Sequence, residues 1–378
     1  MTPKERLLAS IQGREIDRFS WSPNLAYWWE HSEEAVVAMG EVEFLKSIGA
    51  DPLIRGHFAY QPGSRSWDNM MLFDTSYDNS CRVWEETIGE HRKVVYETPL
   101  GSLVFGYNYS KSGNTWFLRE HGVKEEADFK ILAYLKEHTI LTPNYERFDQ
   151  EASDLGEEGL MVPILVPDLK SAFQAMVEYW VGTEGISYAV YDYPEAVEEA
   201  LAAMRKLNLK AAEICASSKA ECFLTWEDSS TTNISPALYE KYIAPEINDW
   251  CDFLHKKGKL YIQHACGHLK QLMPILAQTG IDAIESISPP PTGNIEIWEA
   301  REALPDRIAL IGGIEAVNFK ELHVTDLKAY AEKLIGKMQG TAYVLANSDS
   351  CPPYVELDKF HMLGELVREL CKKQEEQI

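Results

Sequence analysis

The stretch Leu260-Tyr261-Ile262-Gln263-His264-Ala265-Cys266-Gly267-His268-Leu269 decides how the rest of the chain is read. Lys259 to Gln263 is rich in apolar and β-forming residues and reads as a short buried strand. A helical pattern follows from Leu269 to Ala277, so His264 and Cys266 stand where a strand ends and a loop begins. An imidazole and a thiol two residues apart on an extended chain point to the same side. Nitrogen and sulfur together suit a borderline-soft metal such as zinc. Gly267 lets the backbone turn sharply beside them. The pair alone is weak evidence, since most His and Cys residues at strand ends are structural, so a third donor has to come from elsewhere.

Working outward from this stretch, a regular alternation runs from Leu160 onward. Strand-like runs at Met161–Val166, Cys222–Trp226, Lys259–Gln263, Ala283–Ile287, Ile308–Ile311 and Ala342–Leu345 are separated by helical patterns. The helices are expected at Pro194–Ala216, Pro236–Lys256, Leu269–Gln278, Ile295–Ala303 and Val324–Met338, with a last one at Leu357–Lys372. Strand–helix alternation with short links predicts parallel strands and right-handed crossovers. The expected class is α/β, a distorted (β/α)8 TIM barrel, with a doubly wound open sheet as its rival. No G-x-G-x-x-G or Walker sequence follows a strand, which counts against a nucleotide-binding version of that rival.

The first part of the chain has a different texture. Thr2 as N-cap, Pro3 at the first helical position and Glu5 three residues after the cap predict a helix over residues 2–12, ended by Gly13. Phe19 to Trp21 is the expected first strand. From Arg55 to Lys124 aromatics, glycines and alternating residues predict β-hairpins that elaborate the fold. No Gly/Ser/Pro linker divides the chain, so residues 1–378 are expected to form one domain, with the opening and hairpin part to about 158 and the repeating units beyond it.

In a barrel the C-terminal ends of all strands meet at one mouth, where active sites form. Those ends carry Glu227 and Asp228, His264 and Cys266, Glu285 and Ser288, Gly312, Gly313 and Glu315, then Asn347, Asp349 and Cys351. Cys351 lies far downstream of Cys266, yet the two would face one cavity. His264, Cys266 and Cys351 make a Cys2His set, and three protein ligands with an open fourth position is a catalytic zinc arrangement. Two thiolates and a neutral imidazole bring Zn2+ to zero formal charge, which leaves a moderate Lewis acid. Glu227 and Asp228 are the expected groups to orient or protonate a leaving atom. For Glu227 a mouth salt bridge is the competing reading. His268 either supports the site or caps the following helix. Tyr27, Trp28 and Trp29 are either core packing or an apolar wall for a flat uncharged substrate, and Asn347 is a further substrate contact. Cys215, Cys251 and Cys371 fall within helical patterns and Cys222 starts a strand, so each reads as a small buried hydrophobe.

Composition narrows the class. A content of 45% hydrophobic residues over 378 is enough for one large core or two ordinary ones. The formal charge of −23 argues against nucleic acid, which selects basic surfaces. The chain opens Met-Thr-Pro-Lys-Glu-Arg without an apolar leader, and no long apolar run suggests a membrane span. Seven scattered cysteines do not make a disulfide framework. A cytoplasmic location with reduced thiols is expected.

Several segments together resemble the uroporphyrinogen decarboxylase-like superfamily, in its corrinoid-dependent methyltransferase branch. They are MTPKERLLASIQGREIDR at the start, ETPLGSLV at Glu97–Val104, VKEEADFKILAYL at Val123–Leu135, TWEDSS at Thr225–Ser230 with ISPALYEKYIAP after it, HACG at His264–Gly267, GIDAIES at Gly280–Ser286, and the late Cys351. The resemblance implies a distorted (β/α)8 barrel, a zinc held by His264, Cys266 and Cys351 in its mouth, and a separate corrinoid (cobalamin) protein that docks over it. It implies methyl transfer from a donor such as an aryl methyl ether to Co(I). The alternative direction runs from methylcobamide to a thiol or tetrahydrofolate. True decarboxylases of the superfamily use no metal and hold a propionate-bearing tetrapyrrole with arginines near the N-terminus. Here Ser20 to Trp29 contains none, and a polyanion without a cation would be hard to hold. A non-catalytic zinc-binding barrel is the reading from another class, and a fourth protein ligand would favour it. The expected partners are the corrinoid protein and a small methyl donor, with a homodimer as the oligomer considered.

Overall fold

The computed structural model describes residues 1–55, 71–111 and 115–375. The chain forms two compact units, Met1–Leu72 with Tyr145–Ile164 and Ser218–Ile378, and Phe73–Asn144 with Leu165–Ser217.

The first unit carries the (β/α)8 barrel. Its strands are β1 (Ser20–Trp21), β2 (Leu53–Arg55), β3 (Leu160–Val162), β4 (Cys222–Trp226), β5 (Leu260–His264), β6 (Ala283–Ile287), β7 (Ala309–Ile314) and β8 (Tyr343–Asn347). Six run in the parallel order β1-β8-β7-β6-β5-β4, and β2 pairs in parallel with β3. Single backbone bonds link these groups into a ring. Asp51 N–H donates to Trp21 O at 2.8 Å between β1 and β2, and Leu224 N–H donates to Pro163 O at 3.1 Å between β3 and β4. From β5 to β8 nearly every residue is buried on both faces, the pattern of a parallel sheet covered by helices.

The departures from expectation trace to proline and to length. β3 stops at Val162 because Pro163 has no N–H to give the ladder. β2 has three residues, too few to show a period. The expected helix Pro236–Lys256 runs helical from Pro236 to His255 and contains one wide turn at Tyr239–Ile243. Pro245 cannot donate one turn back, and the widened turn absorbs the missing bond. Pro274 likewise reduces the helix expected at Leu269–Gln278 to Lys270–Leu272 and Met273–Leu276.

The opening motif closes a buried ion network. Thr2 and Glu5 cap the helix Pro3–Ile11 reciprocally. Arg6 donates to Asp17 and to Asp51, both at 2.6 Å, and Arg18 reaches Asp51 at 2.7 Å. Asp51 is fully buried. Removing one partner of such a network strands the others, so Asp51→Ala is expected to lower stability by about 3–5 kcal/mol. Urea unfolding measures it, and a loss under about 1 kcal/mol would make the network ornamental.

The second unit holds the expected hairpins. Arg82–Ile88, His91–Thr98, Gly101–Ser110 and Thr115–Glu120 form an antiparallel meander in chain order. Tyr96 and Phe105 each pack on Trp180 with ring centroids 5.5 Å apart. Phe73–Tyr77 pairs with Thr139–Pro143, and the helices Glu126–Glu137 and Pro194–Ala216 pack together. The hairpin expectation for residues 56–70 lies outside the described residues. Among the described residues no helix is long and apolar enough to cross a membrane.

Candidate metal centre

His264 is the last residue of β5 and stands in register with Glu285 on β6. The TWEDSS and HACG segments are laced together by backbone. Glu227 and Asp228 N–H groups donate to His264 O at 3.0 and 3.3 Å, and His268 N–H donates to Ser230 Oγ at 3.0 Å. Gly267 has φ +79°, and a Cβ there would lie 2.7 Å from Ser230 Oγ, so this turn requires glycine.

The two ring nitrogens of His264 face different partners. Nδ1 lies 3.2 Å from Glu285 Oε2 and 3.3 Å from Ser286 Oγ. Nε2 lies 3.5 Å from Asp228 Oδ1 and 3.8 Å from Asp349 Oδ1. Cys266 Sγ is 3.5 Å from the same Asp228 oxygen. Asp228, His264 and Cys266 thus offer one oxygen, one nitrogen and one sulfur, all within 4.8 Å of one another.

The electrostatics of this cluster favour a cation. Burial opposes charge on His264, yet hydrogen bonds to Cys266 and Glu285 and the fields of Asp228 and Glu285 outweigh it and raise the imidazole well above its ordinary value. Burial pushes the Cys266 thiol up to about 11, against the His264 hydrogen bond, and Asp228 adds to the rise. Glu285, despite its burial, is held at about 2 by Arg55 and by His264. The donor set fits zinc: a thiolate, a carboxylate and a neutral imidazole again sum to zero around Zn2+, with room for a further ligand.

Backbone strain gathers at the same place. Asp228, Ser286 and Asp349 have φ of +46°, +77° and +64°, and each contacts a His264 nitrogen. Left-handed backbone in non-glycine residues is costly and concentrates where surrounding structure enforces a functional geometry.

The other expected site residues fall as follows. Cys351 is buried, and burial alone pushes its thiol well above the ordinary value. Its N–H donates to Asn24 O at 2.8 Å and its O accepts from Trp28 N–H at 2.9 Å. It is not one of the three donors gathered around His264. Glu227 is fully buried and accepts from Thr225 Oγ1 at 3.2 Å. Thr225 also bonds Tyr261, and burial pushes the Tyr239 and Tyr261 hydroxyls up, with the Glu227 charge adding to the rise. Trp28 and Trp29 take the packing role. Both are buried, Trp28 against Phe44 and Phe360, with its Nε1 donating to Val355 O at 2.8 Å. Tyr27 is exposed. Asn347 clips two backbone segments, accepting from Asn24 N–H at 3.0 Å and donating to Asp349 O at 2.8 Å. Cys215, Cys222 and Cys251 are buried as expected, and the Cys371 side chain lies outside what is described.

A family model described as uroporphyrinogen decarboxylase (URO-D) matches residues 171–370, just over half of the 378 residues. The chain belongs to that family. The matched part of this URO-D member holds Asp228, His264, Cys266, Glu285, Asp349 and Cys351. Among solved structures, a methyltransferase from Methanosarcina mazei shares the fold at 13% identity and a TM-score of 0.62, covering 98% of this chain and 99% of that one. A B12-independent methionine synthase from Shewanella sp. W3-18-1 is similar at 9% identity and a TM-score of 0.42, over 79% of this chain and 78% of that one. No curated protein sequence matches.

Proposed function

We propose that this URO-D family member is a zinc-dependent methyltransferase. It moves a methyl group from a methylated donor, an aryl methyl ether in our reading, to the Co(I) of a corrinoid carried by a partner protein. The observation that carries the reading is the nitrogen, sulfur and oxygen cluster at the barrel mouth, braced by three strained residues. The likeness of fold to a methyltransferase from Methanosarcina mazei supports it.

His264 and Cys266 are the proposed zinc ligands, with Cys351 joining them by the family resemblance. Zinc, when bound, supplies a Lewis acid for the heteroatom that the methyl group leaves. The chain's own residues do the rest. Asp228 Oδ1 lies beside both His264 and Cys266 and is placed to hold or deliver a proton at the leaving oxygen. Glu227 braces the end of β4 through Thr225. Asn347 ties the loop bearing Asp349 to the segment leading to the exposed Tyr27, the ring proposed to meet the donor. We take residues 1–378 to act as one functional domain.

Mixing the protein with a reduced corrinoid protein and a panel of methyl donors should convert Co(I) to its methylated form, followed by its absorption spectrum. Methyl transfer only from methylcobamide to a thiol or tetrahydrofolate would reverse the assigned direction. Metal-free decarboxylation of uroporphyrinogen would overturn the assignment.

A further inference from the structure

We infer that Arg55 and Glu285 form a positioning pair that fixes the His264 imidazole so that Nε2, not Nδ1, faces the metal-binding donors. The inference rests on the zinc reading of His264 above. Glu285 uses its two oxygens on different partners: Oε1 pairs with Arg55 Nε, and Oε2 lies 3.2 Å from His264 Nδ1. A carboxylate at Nδ1 makes that nitrogen the N–H donor and leaves the Nε2 lone pair free for a metal. The ring is thereby set in both tautomer and rotation.

The pair is itself held from several directions. Arg55 Nη2 donates to Ser22 O at 2.9 Å, and Nη1 donates to Pro23 O and Leu53 O, each at 3.2 Å. The guanidinium thus binds the segment leaving β1 and its own strand β2, while Glu285 stands on β6 and His264 on β5. Arg55, Glu285 and His264 are 8%, 2% and 5% exposed, so water competes weakly for these bonds. Ser286 gives the arrangement a second anchor. Its Oγ lies 3.3 Å from Nδ1 and accepts from Asp349 N–H at 2.7 Å, so the loop after β8 registers on the same nitrogen. The proposed zinc ligands His264, Cys266 and Cys351 all lie in the later half of the chain. Arg55 gives the opening part a role at the centre, through Glu285.

The same arrangement bears on substrate class. Arg55 is a cation from the N-terminal part of the barrel, but its charge is committed to a buried carboxylate and its N–H groups to backbone oxygens. It is therefore not placed to receive a propionate.

The test is zinc affinity of the full chain, measured by competition with a chromophoric chelator, with circular dichroism as the check on folding. Glu285→Gln keeps the shape but removes the charge at Nδ1, and zinc binding by the folded fraction should weaken by about 10- to 100-fold. Because Glu285→Gln strands the buried Arg55 charge and can unfold the protein, the double variant Arg55→Met with Glu285→Gln removes both charges together. It should show the same 10- to 100-fold loss. A merely structural role would lower thermal stability and leave the zinc affinity of the folded fraction unchanged. Wild-type affinity in the folded double variant overturns the positioning role alone, whereas a wild-type chain that binds no zinc overturns the zinc reading beneath it.

Discussion

Cys266→Ala loses zinc: the expected content falls from about one ion per chain to a small fraction of that under mild chelation. Structural zinc sites bind with about 10–16 kcal/mol from four ligands, so one ligand accounts for about 3 kcal/mol, on the order of 10²-fold in affinity. His264→Ala should behave alike, since it removes the nitrogen that lies 3.5 Å from Asp228. The informative comparison is Cys351→Ala against Asp228→Asn. With Cys351 as third ligand, Cys351→Ala loses zinc, Asp228→Asn retains it, and X-ray absorption of the wild type counts two sulfurs. The described side chains place Asp228 rather than Cys351 beside His264 and Cys266. One sulfur in the first shell, with zinc retained by Cys351→Ala, would therefore make the ligand set His264, Cys266 and Asp228. Loss in both variants would point to four protein ligands and favour the non-catalytic zinc barrel.

Asp228→Asn should slow methyl transfer by about 10²- to 10⁴-fold with zinc still bound, the usual cost of removing a general acid. Asparagine keeps the shape of the side chain and loses the charge and the titratable proton. The deficit should shrink for donors whose leaving phenolate is a weak base, because such a leaving group needs less help from a proton. Glu227→Gln should slow transfer much less. Its carboxylate bonds Thr225 and is not among the three donors gathered at His264, while its backbone N–H donates to His264 O. Single-turnover rates across a donor series separate the two residues. A larger defect in Glu227→Gln than in Asp228→Asn would give the proton role to Glu227.

Much of the barrel is legible in the sequence because its strands are buried on both faces. Cys222–Trp226 and Ala283–Ile287 stand out as short apolar runs between helical periods, and their observed bounds are those expected. The opening cap is equally local: Thr2, Pro3 and Glu5 suffice to start a helix. The pairing of His264 with Cys266 is legible too, because two residues of extended chain fix which way both side chains point.

What the sequence by itself determined about this protein is therefore whatever a strand period, a cap or a two-residue spacing can specify: an α/β barrel, a hairpin insertion, and a nitrogen–sulfur pair at a strand end. Tertiary structure alone decided the rest. Arg55 sits in a three-residue strand with no period of its own, and only the closure of β2 against β1 and β3 carries it to Glu285. A glutamate within the apolar run Ala283–Ile287 signals a buried charge in need of a partner, but register with β5 is what supplies His264. Glu227 and Asp228 are adjacent in sequence and indistinguishable by composition. The left-handed turn at Asp228 separates them, with Glu227 bonding Thr225 and Asp228 lying beside His264 and Cys266. Trp28 went to the core because Phe44 and Phe360, remote in the chain, close around it. Arg55 with Glu285, Glu285 with His264, Asp228 with His264 and Cys266, and Trp28 with Phe360 are contacts between residues far apart in sequence, and no local pattern encodes which distant partner a side chain will meet.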